Sequence, residues 1–145
     1  MHADEITGTT IEIAIEIHRA LGSGLLESVY EAILAHELRL HGLKVRRQQP
    51  IRFQYGDMLF DEAFRADLIV EDTVVVEIKA VARLDPVYAR QILTYLRLLD
   101  LPAGLVLNFG EKTMLAGTKR IVNKLQPFAQ SRVHINRSAD RSPNH

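Results

Sequence analysis

The sequence predicts an α/β fold, of the α+β type, in which helices pack on a mixed sheet. Three observations carry that prediction. Apolar residues recur at helical spacing as far as His41 and then switch to a period of two. Two β-branched runs flank Glu71-Asp72, which reads as a tight hairpin turn. Asp85-Pro86 opens a further helix that leads into the unbroken apolar run Ala103 to Phe109.

The first segment, residues 6–21, is ambiguous in itself. Ile11, Ile13, Ile15 and Ile17 alternate as in a strand, yet Ile6, Ile13, Ile17 and Leu21 also line a helical stripe. Asp4 suits a helix cap and Gly22 a helix end, so a helix is expected. A second helix follows from Leu25 to His41, with Leu26, Val29, Tyr30, Ile33 and Leu38 on its apolar face and Gly42 ending it. Ile51, Phe53 and Tyr55 then alternate with Arg52 and Gln54 as a half-buried strand, and Gly56-Asp57 is a turn. Strands are expected over Phe64–Val70 and Thr73–Ala80, on either side of the hairpin turn. In the third helix Asp85 is the expected cap and Pro86 the first helical residue; Ile92, Tyr95, Leu96 and Leu99 carry it to Asp100. A buried strand spans Ala103–Phe109 and a short one Lys119–Val122. After the first helix the order is therefore α-β-β-β-α-β.

Composition sets the outer limits. The chain has 145 residues, of which 47% are hydrophobic and 25% charged, as in an ordinary globular protein and unlike a disordered one. One domain is expected over 1–125, with a polar, patternless tail over 126–145. There is no Cys, which excludes disulfides, thiolate metal sites and Cys nucleophiles. No apolar stretch approaches the ~20 residues of a membrane span. The N-terminus lacks the pattern of a signal peptide, so the expected location is cytoplasmic. Net charge is zero but unevenly spread: residues 1–40 hold 7 acidic and 2 basic residues, residues 57–79 again 7 and 2, and residues 111–145 hold 2 and 7. That argues against a strongly basic, nonspecific DNA binder and leaves room for a basic groove beside an acidic centre.

The informative stretch runs from Arg65 to Lys79. By strand alternation, Val74, Val76 and Ile78 share one face of their strand, and Val75, Glu77 and Lys79 the other. The hairpin at Glu71-Asp72 brings Asp67 close to Glu77. Two carboxylates and an ammonium on a sheet surface suit a hard divalent cation, which takes carboxylate, water and phosphate oxygens. Taken alone, D…ExK also suits a structural ion pair.

Two further motifs add weight. Gly24, Glu27 and Tyr30 spell GxxExxY at the start of the second helix, and Gln91 and Tyr95 spell QxxxY on one face of the third. Together with Asp67 and Glu77-Ile78-Lys79, and with RADLIVEDTVVVEIKAV and LVLNFG, the chain from Ile6 to Val122 resembles the GxxExxY family of the PD-(D/E)XK nuclease superfamily, in its RecB and lambda-exonuclease-like branch. The resemblance implies a restriction-endonuclease-like core preceded by one extra helix. It also implies a nuclease, using Mg²⁺ or Mn²⁺, that hydrolyses phosphodiester bonds in nucleic acid, chiefly DNA, through metal-activated water. Asp67 and Glu77 match the metal ligands, joined by the Ile78 carbonyl, and Glu27 matches the first-helix acid that assists metal binding. Lys79 matches the lysine that positions water; Gln91 and Tyr95 match residues that support the site and contact the nucleic-acid backbone. Ala66 stands where the motif name has Pro.

The remaining candidates carry less. His18, His36 and His41 read as surface or cap residues, and Asp57, Asp61 and Glu62 as a solvated acidic patch. Tyr30 suits either a core position or the orientation of Glu27. Arg46, Arg47 and Arg52 suit either phosphate contacts or a solvated strand edge. A nucleic-acid or protein binding module that keeps the site without cleaving remains the alternative to an enzyme, and a small domain of this kind is compatible with a homo-oligomer.

Overall fold

A computed structural model describes residues 1–124 and 133–135. Its elements are α1 (Ala3–Leu21), α2 (Glu27–Leu40), β1 (Val45–Tyr55), β2 (Met58–Val70), β3 (Val74–Lys79), α3 (Val87–Leu99), β4 (Ala103–Asn108), β5 (Thr118–Val122) and β6 (Val133–Ile135). The expected α/β class and order are present. The strands form one sheet in the order β5-β4-β3-β2-β1-β6. Every neighbouring pair is antiparallel except β3 and β4, which α3 joins by the crossover that a parallel pair requires.

Sequence and structure agree closely at the turns. Glu71 and Asp72 sit at φ 53° and 50° in a three-residue loop, with Thr73, between the paired residues Val70 and Val74, and the Thr73 N–H donates to the Val70 carbonyl at 3.0 Å. Gly22 and Gly42, at φ 74° and 83°, follow α1 and α2. The starts differ more. His2, not Asp4, caps α1, with its N–H donated to Glu5, while Asp4 lies in the first turn and pairs with Arg120 at 2.8 Å. Helix α3 begins at Val87, one residue later than expected, and the Asp85 carboxylate accepts the Val87 N–H at 2.9 Å. Strand β1 starts six residues before the alternation does, and β2 starts at Met58 rather than Phe64. The reading of 126–145 as a tail lies outside the described residues except at β6, which pairs with β1.

Two cores sandwich the sheet. On one face Ile6, Ile13 and Ile17 of α1 and Tyr30, Leu34 and Leu38 of α2 pack on Val74, Val76 and Ile78 of β3 and on Leu105 and Leu107 of β4. On the other, Ile92, Leu96 and Leu99 of α3 cover Val75 and Val106. Each fully buried aliphatic side chain contributes ~1.5–3 kcal/mol, so both layers are needed. Gly104 lets α3 approach: a Cβ there would lie 2.5 Å from Ile92 Cγ2 and 3.1 Å from the Val75 carbonyl.

The β1–β2 hairpin changes the core it serves part-way along. Residues two apart share a face in a regular strand. Here Leu68 and Val70 belong to the α1/α2 core, whereas Ala66 and Phe64 pack on the α3 side. Val45 and Ile51 divide in the same way on β1. The change falls at Gln48, whose φ of 50° breaks the pleat. The register of Arg47 with Leu68 and of Gln49 with Ala66 sets Gln48 opposite Asp67. Asp67 therefore emerges where the sheet passes from one core to the other.

Candidate active site

Strand β3 pairs with β2 through Leu68–Val76, Ile69–Val75 and Val70–Val74, a register that continues to Asp67 opposite Glu77. The two carboxylates are interlocked through the backbone. Glu77 Oε1 accepts the Asp67 N–H at 3.2 Å, and Asp67 Oδ2 accepts the Ile78 N–H at 2.8 Å. Glu77 and Lys79 alternate with Ile78 of the α1/α2 core, and so lie on the α3 side with Val75. Burial, reinforced by the Asp67 charge, pushes the Glu77 carboxyl up to about 8, although its backbone hydrogen bond and the Lys79 ammonium pull the other way.

Helix α3 closes this face. Tyr95 stacks flat on Phe64, with centroids 3.9 Å apart and planes 1° from parallel. Burial raises the Tyr95 phenol, and the charges of Glu77 and Asp67 raise it further, so it is a donor at neutral pH. The Lys79 ammonium lies 4.2 Å from the centroid of Tyr88. Gln91, one turn before Tyr95, is exposed and makes no side-chain hydrogen bond among the described residues.

The N-terminus of α2 reaches the same end of β3 from the opposite core. Glu27 Oε2 accepts the Ala80 N–H at 3.2 Å, immediately after Lys79. The Tyr30 hydroxyl donates to the Gly22 carbonyl at 2.5 Å and accepts the Leu25 N–H at 3.1 Å, while its ring stacks on Phe109 at 4.3 Å. Tyr30 is thus both a core residue and the clasp of the loop before Glu27. Asn108 holds the chain just past Lys79. Its side-chain oxygen accepts the Val81 N–H at 3.0 Å, and its amide donates to the Val81 carbonyl at 2.9 Å. Gly110 packs against that segment, where a Cβ would meet the Val81 carbonyl at 2.3 Å.

Sequence reasoning missed two neighbours of Asp67. Gln48 Nε2 donates to Asp67 Oδ1 at 3.1 Å and to Glu31 Oε1 at 2.7 Å. Glu31 is only 5% exposed and pairs with Arg47 at 3.2 Å. Burial raises its carboxyl, and the Asp67 charge adds to the rise against the pull of Gln48 and Arg47. Glu31 stands four residues after Glu27, the one signal that placed it on the same helix face; nothing in the sequence marked Gln48. Arg46 is buried and pairs with Asp72 at 3.2 Å, and Arg52 pairs with Asp61 at 3.6 Å, so these arginines have internal partners. His18, expected at the surface, is 9% exposed and its Nε2 is 2.8 Å from the Glu111 carbonyl, because α1 packs against the loop after β4.

Among the described residues, no group of three or more His, Cys, Asp or Glu side chains is placed to hold a metal ion. Asp67 and Glu77 alone form a two-carboxylate oxygen donor set. That suits a hard divalent ion, which commonly takes one or two carboxylates and fills its other positions with water and phosphate. Burial is the main cause of the rise at Glu77; the like charge of Asp67, the second cause, is the kind a cation relieves. No helix among the described residues is long and apolar enough to cross a membrane.

The chain matches the family described as the PD-(D/E)XK nuclease superfamily over residues 4–121. No curated protein and no solved structure matches it at a significant level.

Proposed function

Since this chain belongs to the PD-(D/E)XK nuclease superfamily, we propose that it is a metal-dependent nuclease that hydrolyses phosphodiester bonds, with DNA as its substrate, in the GxxExxY family of the RecB and lambda-exonuclease-like branch. One observation carries the reading. Asp67 and Glu77 are interlocked across β2 and β3. Lys79 follows two residues later on the side where Tyr95 feels their charge. Mg²⁺ or Mn²⁺ would be held by Asp67, Glu77 and the Ile78 carbonyl, with assistance from Glu27. Such an ion, when bound, supplies an activated water and a Lewis acid at phosphorus.

The chain's own groups do the rest. The Lys79 ammonium, kept near the carboxylates by Tyr88, orients the attacking water and offsets negative charge building on the phosphate. The Tyr95 hydroxyl remains protonated and donates toward the substrate backbone. Gln91 is exposed one turn away with its amide free for a phosphate or sugar oxygen. Glu27, tied to the Ala80 N–H, holds the α2 N-terminus at the strand end that carries Lys79.

A second reading, nucleic-acid binding without cleavage, is favoured by the absence of a preformed set of three acids among the described residues. Labelled single- and double-stranded DNA and RNA, incubated with the protein and Mg²⁺ or Mn²⁺, separate the two. Cleavage abolished by EDTA and by Asp67→Asn supports the nuclease. Binding with no cleavage of any substrate supports the second reading, and cleavage that survives Asp67→Asn removes the assigned site.

A further inference from the structure

Asp67 is held from two sides. Its Oδ2 accepts the Ile78 N–H at 2.8 Å, and its Oδ1 accepts one hydrogen of the Gln48 amide at 3.1 Å. The same nitrogen donates to Glu31 Oε1 at 2.7 Å. An amide NH₂ has two hydrogens, and both have carboxylate acceptors here. Two carboxylates flanking one terminal atom also leave no choice of amide orientation, because a Gln oxygen in that place would face two acceptors. Glu31 does not wander: it is 5% exposed and is held by Arg47 at 3.2 Å. Gln48 stands at φ 50°, a conformation that non-glycine residues seldom adopt, and the register sets it across from Asp67. The strained residue is the one whose side chain bridges the acids.

We infer that Gln48 and Glu31 form a positioning relay, Arg47–Glu31–Gln48–Asp67, that holds the Asp67 carboxylate in the orientation in which it receives a divalent cation. The inference rests on the proposed function, in that Asp67 is taken as a metal ligand. Gln48 does not touch the metal or the substrate. It acts through Asp67, as hydrogen-bond partners of metal ligands generally do; their loss costs ~10–100-fold in metal affinity. Glu31 serves as an acceptor for the amide, so its oxygen matters more than its charge.

The test uses Mn²⁺ alone as the probe, with free Mn²⁺ read by electron paramagnetic resonance on the full chain. Gln48→Met keeps the side-chain length and removes both hydrogen bonds. It is expected to weaken Mn²⁺ binding about tenfold or more; the metal-free melting temperature falls as well, because the buried Glu31 carboxylate loses a donor, but the melt stays cooperative. Glu31→Gln keeps one acceptor oxygen for Gln48 but gives up the pairing with Arg47, so it is expected to weaken Mn²⁺ binding less than Glu31→Met, which is expected to lose affinity as Gln48→Met does. If Gln48→Met loses the parent's cooperative melt, Gln48→Asn decides instead, because Asn tolerates the left-handed backbone but is too short to span both acids; the same loss is expected. Parent-like Mn²⁺ affinity in the folded Gln48 variant overturns the relay and leaves the nuclease reading standing. A parent protein that binds no Mn²⁺ and cleaves no nucleic acid removes the nuclease reading itself, and the relay with it.

Discussion

Lys79 ends β3 with its ammonium 4.2 Å from the centroid of Tyr88, on the side of the sheet that carries Glu77. An ammonium has donors and no acceptor, so in the proposed function it is not a metal ligand. Lys79→Ala is therefore expected to cut cleavage by ~10²-fold or more, the scale of one lost electrostatic contributor. Metal binding should persist, provided it is measured above pH 8, because removing the ammonium takes away a charge that holds the Glu77 carboxyl down. Equal turnover by variant and parent at saturating substrate would refute this role. Gln91 poses the opposite question, since its side chain is exposed and has no partner among the described residues. Gln91→Ala should lower turnover and leave the melting temperature within a degree or so, as surface substitutions usually fall within ~0.5 kcal/mol. A lowered melting temperature with normal turnover would make Gln91 structural.

At the scale of elements, the site depends on three segments meeting at the end of β3. The loop before α2 is clasped by the Tyr30 hydroxyl, which bonds both Gly22 and Leu25. Tyr30→Phe keeps the ring stack on Phe109 and removes both bonds, at a cost of ~1–3 kcal/mol. The expected result is a lower melting temperature together with reduced cleavage, because Glu27 begins the helix that this loop delivers. A variant with parent-like melting and activity would show that packing alone sets the loop. The helices, the turns and the α3 crossover were legible from spacing. The first half of β1 was not. Val45–Pro50 contains Arg46, Arg47, Gln48 and Gln49, with no alternation of apolar residues. Arg46 is buried against Asp72, and the exposed Arg47 pairs with the buried Glu31; both partners are distant in sequence, and no local pattern reveals them.

Across the whole molecule, the Glu77 carboxyl links stability to pH and, in the proposed function, to metal. Its proton is held to about 8 in the folded chain, against an ordinary 4.5. Between those values the native state binds more protons than the unfolded state, so metal-free stability falls as pH rises and levels off above about 8. A cation needs Glu77 ionised, so its affinity rises across the same window. By binding only the folded form it adds ~2.7 kcal/mol at a hundredfold excess over Kd. Glu77→Gln keeps an acceptor for the Asp67 N–H and removes the titration. It should make metal-free stability fall less steeply with pH, leaving the contribution of the raised Glu31 carboxyl, and abolish the rise in melting temperature with Mn²⁺. Melts of both proteins between pH 5 and 9, with and without Mn²⁺, check this; a parent profile that is flat or rises with pH contradicts it.

The sequence by itself determined the order of the elements from α1 to β5, the hairpin turn at Glu71-Asp72, and the approach of Asp67 to Glu77, because helical and strand periods and turn chemistry are local. It also carried the D…ExK, GxxExxY and QxxxY motifs, on which the chain resembles the PD-(D/E)XK nuclease superfamily. The tertiary structure decided what surrounds Asp67. Gln48 reaches it only because β1 pairs with β2 through a residue at φ 50°. Glu31 reaches Gln48 only because α2 packs on the opposite core from α3. A carboxylate's orientation and proton affinity depend on donors, charges and burial contributed from several elements at once, and that sum exists only when the chain is folded.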